Sequence, residues 1–248
     1  MSEDVFTKEN LDMYLKKLAK KFRKLNGTKI PAEIILIGGA SVLINYGFRE
    51  KSNDIDALIY ASSVMEDAIR AVGDEEGLKP GWLNTDFKRT ASYTPKIRLH
   101  AKHYKTFSNI VEIKTISAEY LLAMKLMAGR RYKNDVSDVV GIILEEKEKG
   151  NTLSLEQIKN ACIDLYGDYA KIPENSRTLI EDVFQSKDLK KFYEECVENE
   201  RKNKEVLLDF QDEYPNVLNS SNINSVIDNL RKREKEDEKS GHSINAVT

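Results

Sequence analysis

The sequence predicts an α+β fold, in which a small mixed sheet flanked by helices is followed by an all-helical C-terminal region. Three observations support this prediction. Short Ile/Leu-rich runs bounded by turn residues lie between positions 31 and 116, a helical pattern precedes them, and helical patterns occupy the chain after them. At 248 residues, 40% of them hydrophobic, the chain is long enough for a core and a helical annex.

The first predicted elements are a helix, a strand and a second helix. Residues 33–37 form a short apolar run, which predicts a buried strand. The run ends at Gly38-Gly39, where we expect a sharp turn into a helix over 40–46. Thr7 is the expected N-cap of the first helix. The apolar positions at helical spacing in that helix are Leu11, Leu15, Leu18, Phe22 and Leu25.

A second strand and a hairpin are predicted next. Residues 54–60 read as a strand, and Ser63 with Glu66 predicts a capping box for the helix after it. Two further extended segments, 96–103 and 109–114, predict the hairpin.

From residue 117 onwards every predicted element is a helix. We therefore divide the chain into a core with its N-terminal helix (1–148), a helical region (149–218) and a charged helix with a disordered tail (219–248). The expected caps of the C-terminal helices are Ser117, Asp135, Ser154 with Gln157, Asn175 and Ser186.

Composition and charge narrow the class of protein. The net charge of −2 gives no global basic field of the kind that attracts nucleic acid, although a local basic patch is compatible with it. No apolar run approaches the roughly 20 residues of a membrane helix. The N-terminus lacks the pattern of a signal peptide, so we expect a cytoplasmic protein without a membrane partner. Cys162 and Cys196 lie among apolar neighbours and are expected in the core or at an interface rather than in a disulfide.

Two carboxylates at the start of the second strand indicate a divalent cation. Asp54 and Asp56 are two residues apart, so on a strand both side chains project from one face while Ile55 points into the core. Adjacent carboxylates repel unless a positive charge lies between them. Their hard oxygen ligands suit Mg²⁺ or Mn²⁺.

The glycine pair before them indicates a phosphate cradle. Gly38-Gly39 lets the backbone approach a ligand without a Cβ, the following helix offers N–H groups, and Ser41 adds a hydroxyl. A phosphate cradle beside a metal site is what phosphoryl or nucleotidyl transfer requires. Each half alone is weak, because a glycine pair after a strand is commonly a tight turn and an Asp-x-Asp arises by chance in acidic chains. The segment lacks a full G-x-G-x-x-G, which argues against a Rossmann-type dinucleotide site.

Together, Gly38-Gly39, a helix and Asp54-Ile55-Asp56 resemble the signature of the nucleotidyltransferase superfamily, whose fold is that of DNA polymerase beta. The gap between the glycine pair and the acidic pair, fourteen residues from 40 to 53, is slightly longer than in the common pattern. The chain is also similar, over roughly residues 31–145, to bacterial proteins of the AbiEii abortive-infection toxin type and their uncharacterised relatives. The matching features are Arg49 and Ser52 before the acidic pair, Trp82-Leu83-Asn84, and a lysine-bearing helix followed by a basic and acidic segment, with Lys125, Arg131, Asp135 and Asp138.

The resemblance implies a set of site residues. Asp54 and Asp56 would hold the metal, Glu112 on a neighbouring strand would be the third carboxylate, and Lys125 would act in catalysis. The residues implied for nucleotide binding are Gly38, Gly39, Ser41, Arg49, Ser52 and Arg131. Simpler interpretations stay open at five positions: a solvated strand glutamate at 112, a solvent-facing lysine at 125, ion pairs at Arg130 and Arg131, and a helix cap at Asp135.

The resemblance also implies a reaction. We expect a Mg²⁺- or Mn²⁺-dependent transfer of a nucleoside monophosphate from an NTP to a hydroxyl on RNA or protein, in a toxin–antitoxin or phage-defence setting with an antitoxin-like protein partner. One alternative is a small-molecule acceptor, as in aminoglycoside nucleotidyltransferases. The other is a non-catalytic nucleotide- or partner-binding module of the same fold.

Overall fold

A five-stranded mixed sheet lies at the centre of the computed structural model, which describes residues 4–219 and 222–240. Its order is β3-β2-β1-β5-β4. The middle strand β1 runs antiparallel to β2 and parallel to β5, while β3 is parallel to β2 and β4 is antiparallel to β5. The strands are β1 (Ala32–Leu36), β2 (Ile55–Tyr60), β3 (Leu83–Asn84), β4 (Ala101–Phe107) and β5 (Val111–Ile116).

Helices surround the sheet and make up the C-terminal region. They are α1 (Lys8–Asn26), α2 (Gly38–Asn45), α3 (Val64–Glu76), α4 (Ala118–Ala128), α5 (Asp135–Glu148), α6 (Leu155–Tyr166), α7 (Glu174–Gln185), α8 (Leu189–Glu213) and α9 (Ile223–Ser240). Within the described ranges no strand follows β5. A mixed sheet flanked by helices and followed by a helical region confirms the predicted fold class.

Both faces of the sheet are covered, which explains the uninterrupted apolar run of β1. Successive side chains of a strand point to opposite faces. Ile34 and Leu36 pack in one apolar cluster with α1 and α3, whereas Ile35 and Ile37 pack in a second cluster with α4 and α5. A strand buried on both faces needs apolar residues at every position. The result is a fixed platform whose ends carry the polar residues described below.

The hairpin differs from its prediction. Residues 96–100 are not extended but belong to a 3₁₀ helix, Pro95–His100, and β4 begins only at Ala101. Pro95 stands in the first turn of this helix, where its fixed φ suits a helical start and its missing N–H costs nothing. Thr94 caps the turn by accepting a hydrogen bond from the Lys96 N–H.

Several caps also differ from their predictions, while two are confirmed. The side chains of Thr7 and Ser154 form complete capping boxes. Ser63 has helical backbone angles and makes no side-chain cap bond, so that prediction is wrong. Ser117 precedes α4, but its hydroxyl bonds to Glu119 rather than to a helix N–H. The helices with predicted caps at Asp135, Asn175 and Ser186 are instead preceded by Asn134, Pro173 and Asp188.

The remaining physical expectations concern the cysteines, the membrane and the tail. Cys162 and Cys196 are free and buried, as expected, and burial raises the pKa of each thiol to about 12. None of the helices in residues 4–219 and 222–240 combines the length and apolar character needed to cross a membrane. The backbone of α9 extends to Ser240, and the predicted disordered tail from 241 to 248 lies outside the described residues.

Candidate active site

The turn from β1 into α2 lies beside the start of β2. The Ile37 N–H donates to the Asp56 carbonyl oxygen at 2.9 Å, which fixes the turn against the acidic strand. Gly38 has φ +55°, a left-handed conformation that a side chain would strain. A Cβ on Gly39 would lie 2.8 Å from Arg49 Nη2 and 2.9 Å from Ser52 Oγ. Local geometry therefore requires both glycines, one for its backbone conformation and the other for close packing.

The loop before β2 positions the first aspartate. Ser52 is buried, and its hydroxyl donates to the Asp54 carbonyl oxygen at 3.0 Å. Its backbone forms a two-bond bridge with Phe6. Asp54 is exposed and Asp56 is half-buried. Ser52 therefore supports the backbone of the acidic pair and packs on Gly39.

Electrostatics at Asp56 indicate a site that favours cations. Burial raises the pKa of its carboxyl, and the negative charge of Asp54 raises it further. The positive charges of Lys133 and Arg130 act in the opposite direction. Two carboxylates whose charges disfavour each other gain stability when a cation binds between them.

The donor set fits a magnesium ion that is completed by substrate. Among the residues that the structure describes, no group of three or more His, Cys, Asp and Glu side chains is arranged to hold a metal ion. Mg²⁺ is commonly bound by one or two carboxylates together with waters and substrate phosphates rather than by an all-protein cage. Asp54 and Asp56 match that pattern of partial ligation.

The sheet register does not bring Glu112 to the acidic pair. Glu112 on β5 lies opposite Glu33 of β1, and Glu33 lies opposite Tyr60 of β2. Tyr60 is four residues beyond Asp56, or about 13 Å along the strand at roughly 3.3 Å per residue. Glu112 instead lies 3.1 Å from His103 Nδ1. The expectation that Glu112 completes the metal site is corrected by this register.

The strand on the other side of β2 brings residues that sequence reasoning did not assign. Asn84 of β3 is the register partner of Asp56 in a parallel pair. Its side-chain oxygen accepts a hydrogen bond from the Asp86 N–H at 2.9 Å. Asp86 is exposed, and its charge adds to the effects that raise the pKa of Asp56. The sequence signal for this region was the Trp82-Leu83-Asn84 element, to which the resemblance assigned no role.

Lys125 lies in a buried ion network rather than at a solvent-facing helix edge. Only 6% of Lys125 is exposed, and its Nζ lies 2.8 Å from Asp135 Oδ1 and 2.7 Å from Asp138 Oδ2. Arg130 Nε contacts Asp135 Oδ2 at 2.7 Å, and Arg49 Nη1 contacts Asp138 Oδ2 at 2.5 Å. We call these five side chains the ion network. Buried charges must be paired with opposite charges. In this network two carboxylates are shared among three cations, so each charge has a partner.

The ion network connects α4 and α5 to both parts of the candidate site. Arg49 packs on Gly39, and the negative charge of Asp56 raises the pKa of Arg130. Although burial raises it, the charges and hydrogen bonds of Lys125 and Arg130 bring the pKa of Asp135 down to about 2. Asp135 is therefore an ionised member of the network and not a helix cap. Lys125 contacts Asp135 and Asp138, and these two carboxylates in turn contact Arg130 and Arg49.

Two other expected nucleotide-binding residues have structural partners. Ser41 is fully buried, and its hydroxyl accepts a hydrogen bond from the Ile116 N–H at 3.0 Å, which joins α2 to the end of β5. The Arg131 guanidinium donates to the Asn224 carbonyl oxygen at 3.2 Å and pairs with Asp228, both on α9. Of the two adjacent arginines, Arg130 is the one whose positive charge lowers the pKa of Asp56.

A glycine turn against an acidic strand, on a mixed sheet covered by helices, is the arrangement of a nucleotidyltransferase core. The family described as "nucleotidyltransferase of unknown function" (DUF6036) has a model that matches residues 13–201, and the chain belongs to this family. No curated protein and no solved structure matches the chain significantly. Membership confirms the resemblance to nucleotidyltransferases, while the similarity to AbiEii-type toxins stays a prediction.

Proposed function

We propose that the protein transfers a nucleoside monophosphate from an NTP to a hydroxyl group, with Mg²⁺ or Mn²⁺ bound by Asp54 and Asp56. The observation that carries the proposal is the contact between the glycine turn and the acidic strand, made by the Ile37 N–H on the Asp56 carbonyl. This contact holds the glycine turn, which is the proposed phosphate-binding segment, against the strand that carries Asp56. Family membership supports the same class of reaction.

The glycine turn supplies donors for the phosphates. Ile37, the N-cap of α2, makes no side-chain cap bond, so the first N–H groups of the helix are available to a ligand. Helix N-termini bind anions through these groups and the helix dipole. Gly38 and Gly39 add no side-chain atoms of their own to this turn, and Arg49 packs against Gly39.

Arg130 and Lys133 supply positive charge that acts on Asp56. Asp135 holds the Arg130 guanidinium through Nε at 2.7 Å and Nη2 at 3.3 Å, so its direction is fixed before substrate binds. Lys133 is exposed, and its charge acts on Asp56. We assign the phosphate contacts to these two side chains in place of Arg131, for which the resemblance implied nucleotide binding.

The reaction is an in-line substitution at the α-phosphorus. The acceptor oxygen forms a bond to that phosphorus, the bond to the α,β-bridging oxygen breaks, pyrophosphate leaves, and the hydroxyl proton passes to solvent. A divalent cation, when bound, supplies Lewis-acid stabilisation of the phosphate charge. The protein's own part is to align the phosphates on the α2 turn and to balance their charge with Arg130 and Lys133.

The proposed acceptor is RNA or protein, in a toxin–antitoxin or phage-defence setting with an antitoxin-like partner. Similarity to the toxin group is the support for this choice. A small-molecule acceptor is the alternative within the enzyme class. A non-catalytic nucleotide-binding module is the second candidate function, favoured because the described residues bring no third metal-binding carboxylate to Asp54 and Asp56.

Transfer from labelled nucleotides tests the proposal. Each of the four NTPs, labelled at the α-phosphate, is incubated with the protein and Mg²⁺ or Mn²⁺, in the presence of total RNA, cell protein or small hydroxyl compounds. We expect label on one acceptor class with the wild type, none with Asp56→Asn, and wild-type transfer with Glu112→Gln as the matched control. NTP binding without transfer to any acceptor would favour the non-catalytic module, and transfer by Asp56→Asn would overturn the assignment of the site.

A further inference from the structure

Helix α9 lies beyond the residues that the family model matches, yet it contacts the loop that carries the site's cations. The match ends at residue 201, and α9 begins at Ile223. The loop between α4 and α5, residues 129–134, bears Arg130 and Lys133 and is called here the cation loop. The C-terminal helix is therefore placed to influence the candidate active site.

Helices α8 and α9 bind both the backbone and the side chain of Arg131 in the cation loop. Asn224 Nδ2 donates to the Gly129 carbonyl at 3.1 Å, and its Oδ1 lies 3.5 Å from the Arg131 N–H. The Arg131 guanidinium pairs with Asp228. From α8, Asn203 Nδ2 donates to the Arg131 carbonyl at 2.6 Å. The backbone N–H, the carbonyl and the side chain of Arg131 are all bound by the last two helices.

These contacts are polar and directional rather than a general apolar seam. Ile227 is the buried apolar residue of α9, whose side chains are described at 223–233 and 236. The residues facing the cation loop are an amide and a carboxylate at positions 224 and 228, which are one helical turn apart. A polar pair at this spacing specifies a position for the loop, whereas apolar packing alone would allow it to slide.

We propose that α9 is a positioning element for nucleotide binding, in which Asn224 and Asp228 hold Arg131 and so keep the cation loop in place beside the ion network, which extends to the glycine turn. This inference rests on the proposed function of the site. Arg130 is adjacent to Arg131 and Lys133 is two residues beyond it, so immobilising Arg131 orders both. Asp135 fixes the Arg130 guanidinium from the other side of the cation loop.

Loss of the contacts has a defined effect on affinity. In an Asn224→Ala/Asp228→Ala variant the cation loop and its Lys133 side chain must be ordered when the nucleotide binds, while Asp135 still holds the Arg130 guanidinium. Ordering side chains of this kind weakens binding by about tenfold. We therefore expect the Kd and KM for Mg²⁺–NTP to rise about tenfold while kcat changes little, because the acidic pair is untouched.

The test combines nucleotide binding with hydrogen exchange. Kd is measured with a fluorescent ATP analogue in Mg²⁺, and amide exchange is followed in residues 129–134. Asn229→Ala, an exposed amide on the same helix, is the matched control and should behave as the wild type. Reversing the ion pair gives a rescue: Asp228→Arg alone should weaken binding, and Arg131→Glu/Asp228→Arg should recover part of the affinity.

The outcomes separate this inference from the proposed function. Faster exchange of the cation loop together with weaker nucleotide binding supports the positioning role, even if no acceptor is ever labelled. Unchanged exchange in the Asn224→Ala/Asp228→Ala variant overturns it, as does faster exchange with unchanged Kd. A wild-type chain that binds no nucleotide in Mg²⁺ overturns both.

Discussion

Glu200 is expected to make the stability of the protein depend on pH. This residue of α8 is 6% exposed, and its Oε1 accepts hydrogen bonds from the Val136 N–H at 2.8 Å and the Ser137 N–H at 3.3 Å, in the first turn of α5. Burial raises the pKa of its carboxyl from 4.5 to about 7. The N–H groups of α5 lower it only in part.

The raised pKa sets both the sign and the size of the effect. The folded state keeps the proton to a higher pH than the unfolded state does, so stability falls as pH rises. The contribution is complete below about 4.5 and is lost as the pH passes through about 7. A shift of about 2.5 units corresponds to roughly 3 kcal/mol, at 1.36 kcal/mol per unit.

Urea unfolding of Glu200→Gln at a series of pH values measures this contribution. The glutamine keeps a carbonyl that can accept the same backbone bonds but cannot ionise. We expect the wild type to lose about 3 kcal/mol relative to Glu200→Gln between pH 4.5 and pH 8. Glu194→Gln, at an exposed position of the same helix, should leave the pH dependence unchanged. Parallel stability curves for wild type and Glu200→Gln would refute the reasoning.

Two further substitutions test the packing of the site. Gly39→Ala should lower the free energy of unfolding by about 1–3 kcal/mol in urea titrations, because its Cβ would lie 2.8 Å from Arg49 Nη2. Gly47→Ala is the control: its Cβ would have no neighbour closer than 3.8 Å, so the free energy of unfolding should fall less. Lys125→Met should cost about 3–5 kcal/mol in the same assay, since it removes the cation shared by two buried carboxylates. Lys147→Met, at an exposed position on α5, is its control, and equal losses for the two lysines would contradict a structural role for the ion network.

The fold could be predicted because its main signals are local. The apolar run of β1 and the periodicity of the helices follow from burial against neighbouring layers, and burial leaves its pattern in consecutive residues. The 3₁₀ helix at Pro95–His100 leaves no such pattern, since so short a turn has no apolar face of its own. Some cap predictions failed because the helix begins one or two residues away, as α5 does after Asn134. Others failed because the hydroxyl at the N-cap makes no bond to a helix N–H, as at Ser63.

Within the site, sequence reasoning worked where the residues are close in the chain. Glu112 was correctly expected on a strand, but its level along the sheet was not predicted, because the register of β5 against β1 is a long-range property. Asn84 and Asp86 could not be predicted for the same reason, because their place beside Asp56 depends on the pairing of β3 with β2. Lys125 was expected either in catalysis or at the surface, because its partners Asp135 and Asp138 lie on the next helix and could not be identified from the sequence.

Electron paramagnetic resonance of Mn²⁺ tests most directly whether Asp54 and Asp56 form the metal site of a nucleotidyltransferase. Mn²⁺ is titrated into the protein in the presence of a non-hydrolysable NTP analogue. We predict that the wild type and Glu112→Gln give the same signal of protein-bound Mn²⁺. The Asp54→Asn/Asp56→Asn variant should remain folded and lose that signal. Equal Mn²⁺ binding by the double variant, or a loss confined to Glu112→Gln, would contradict the assignment.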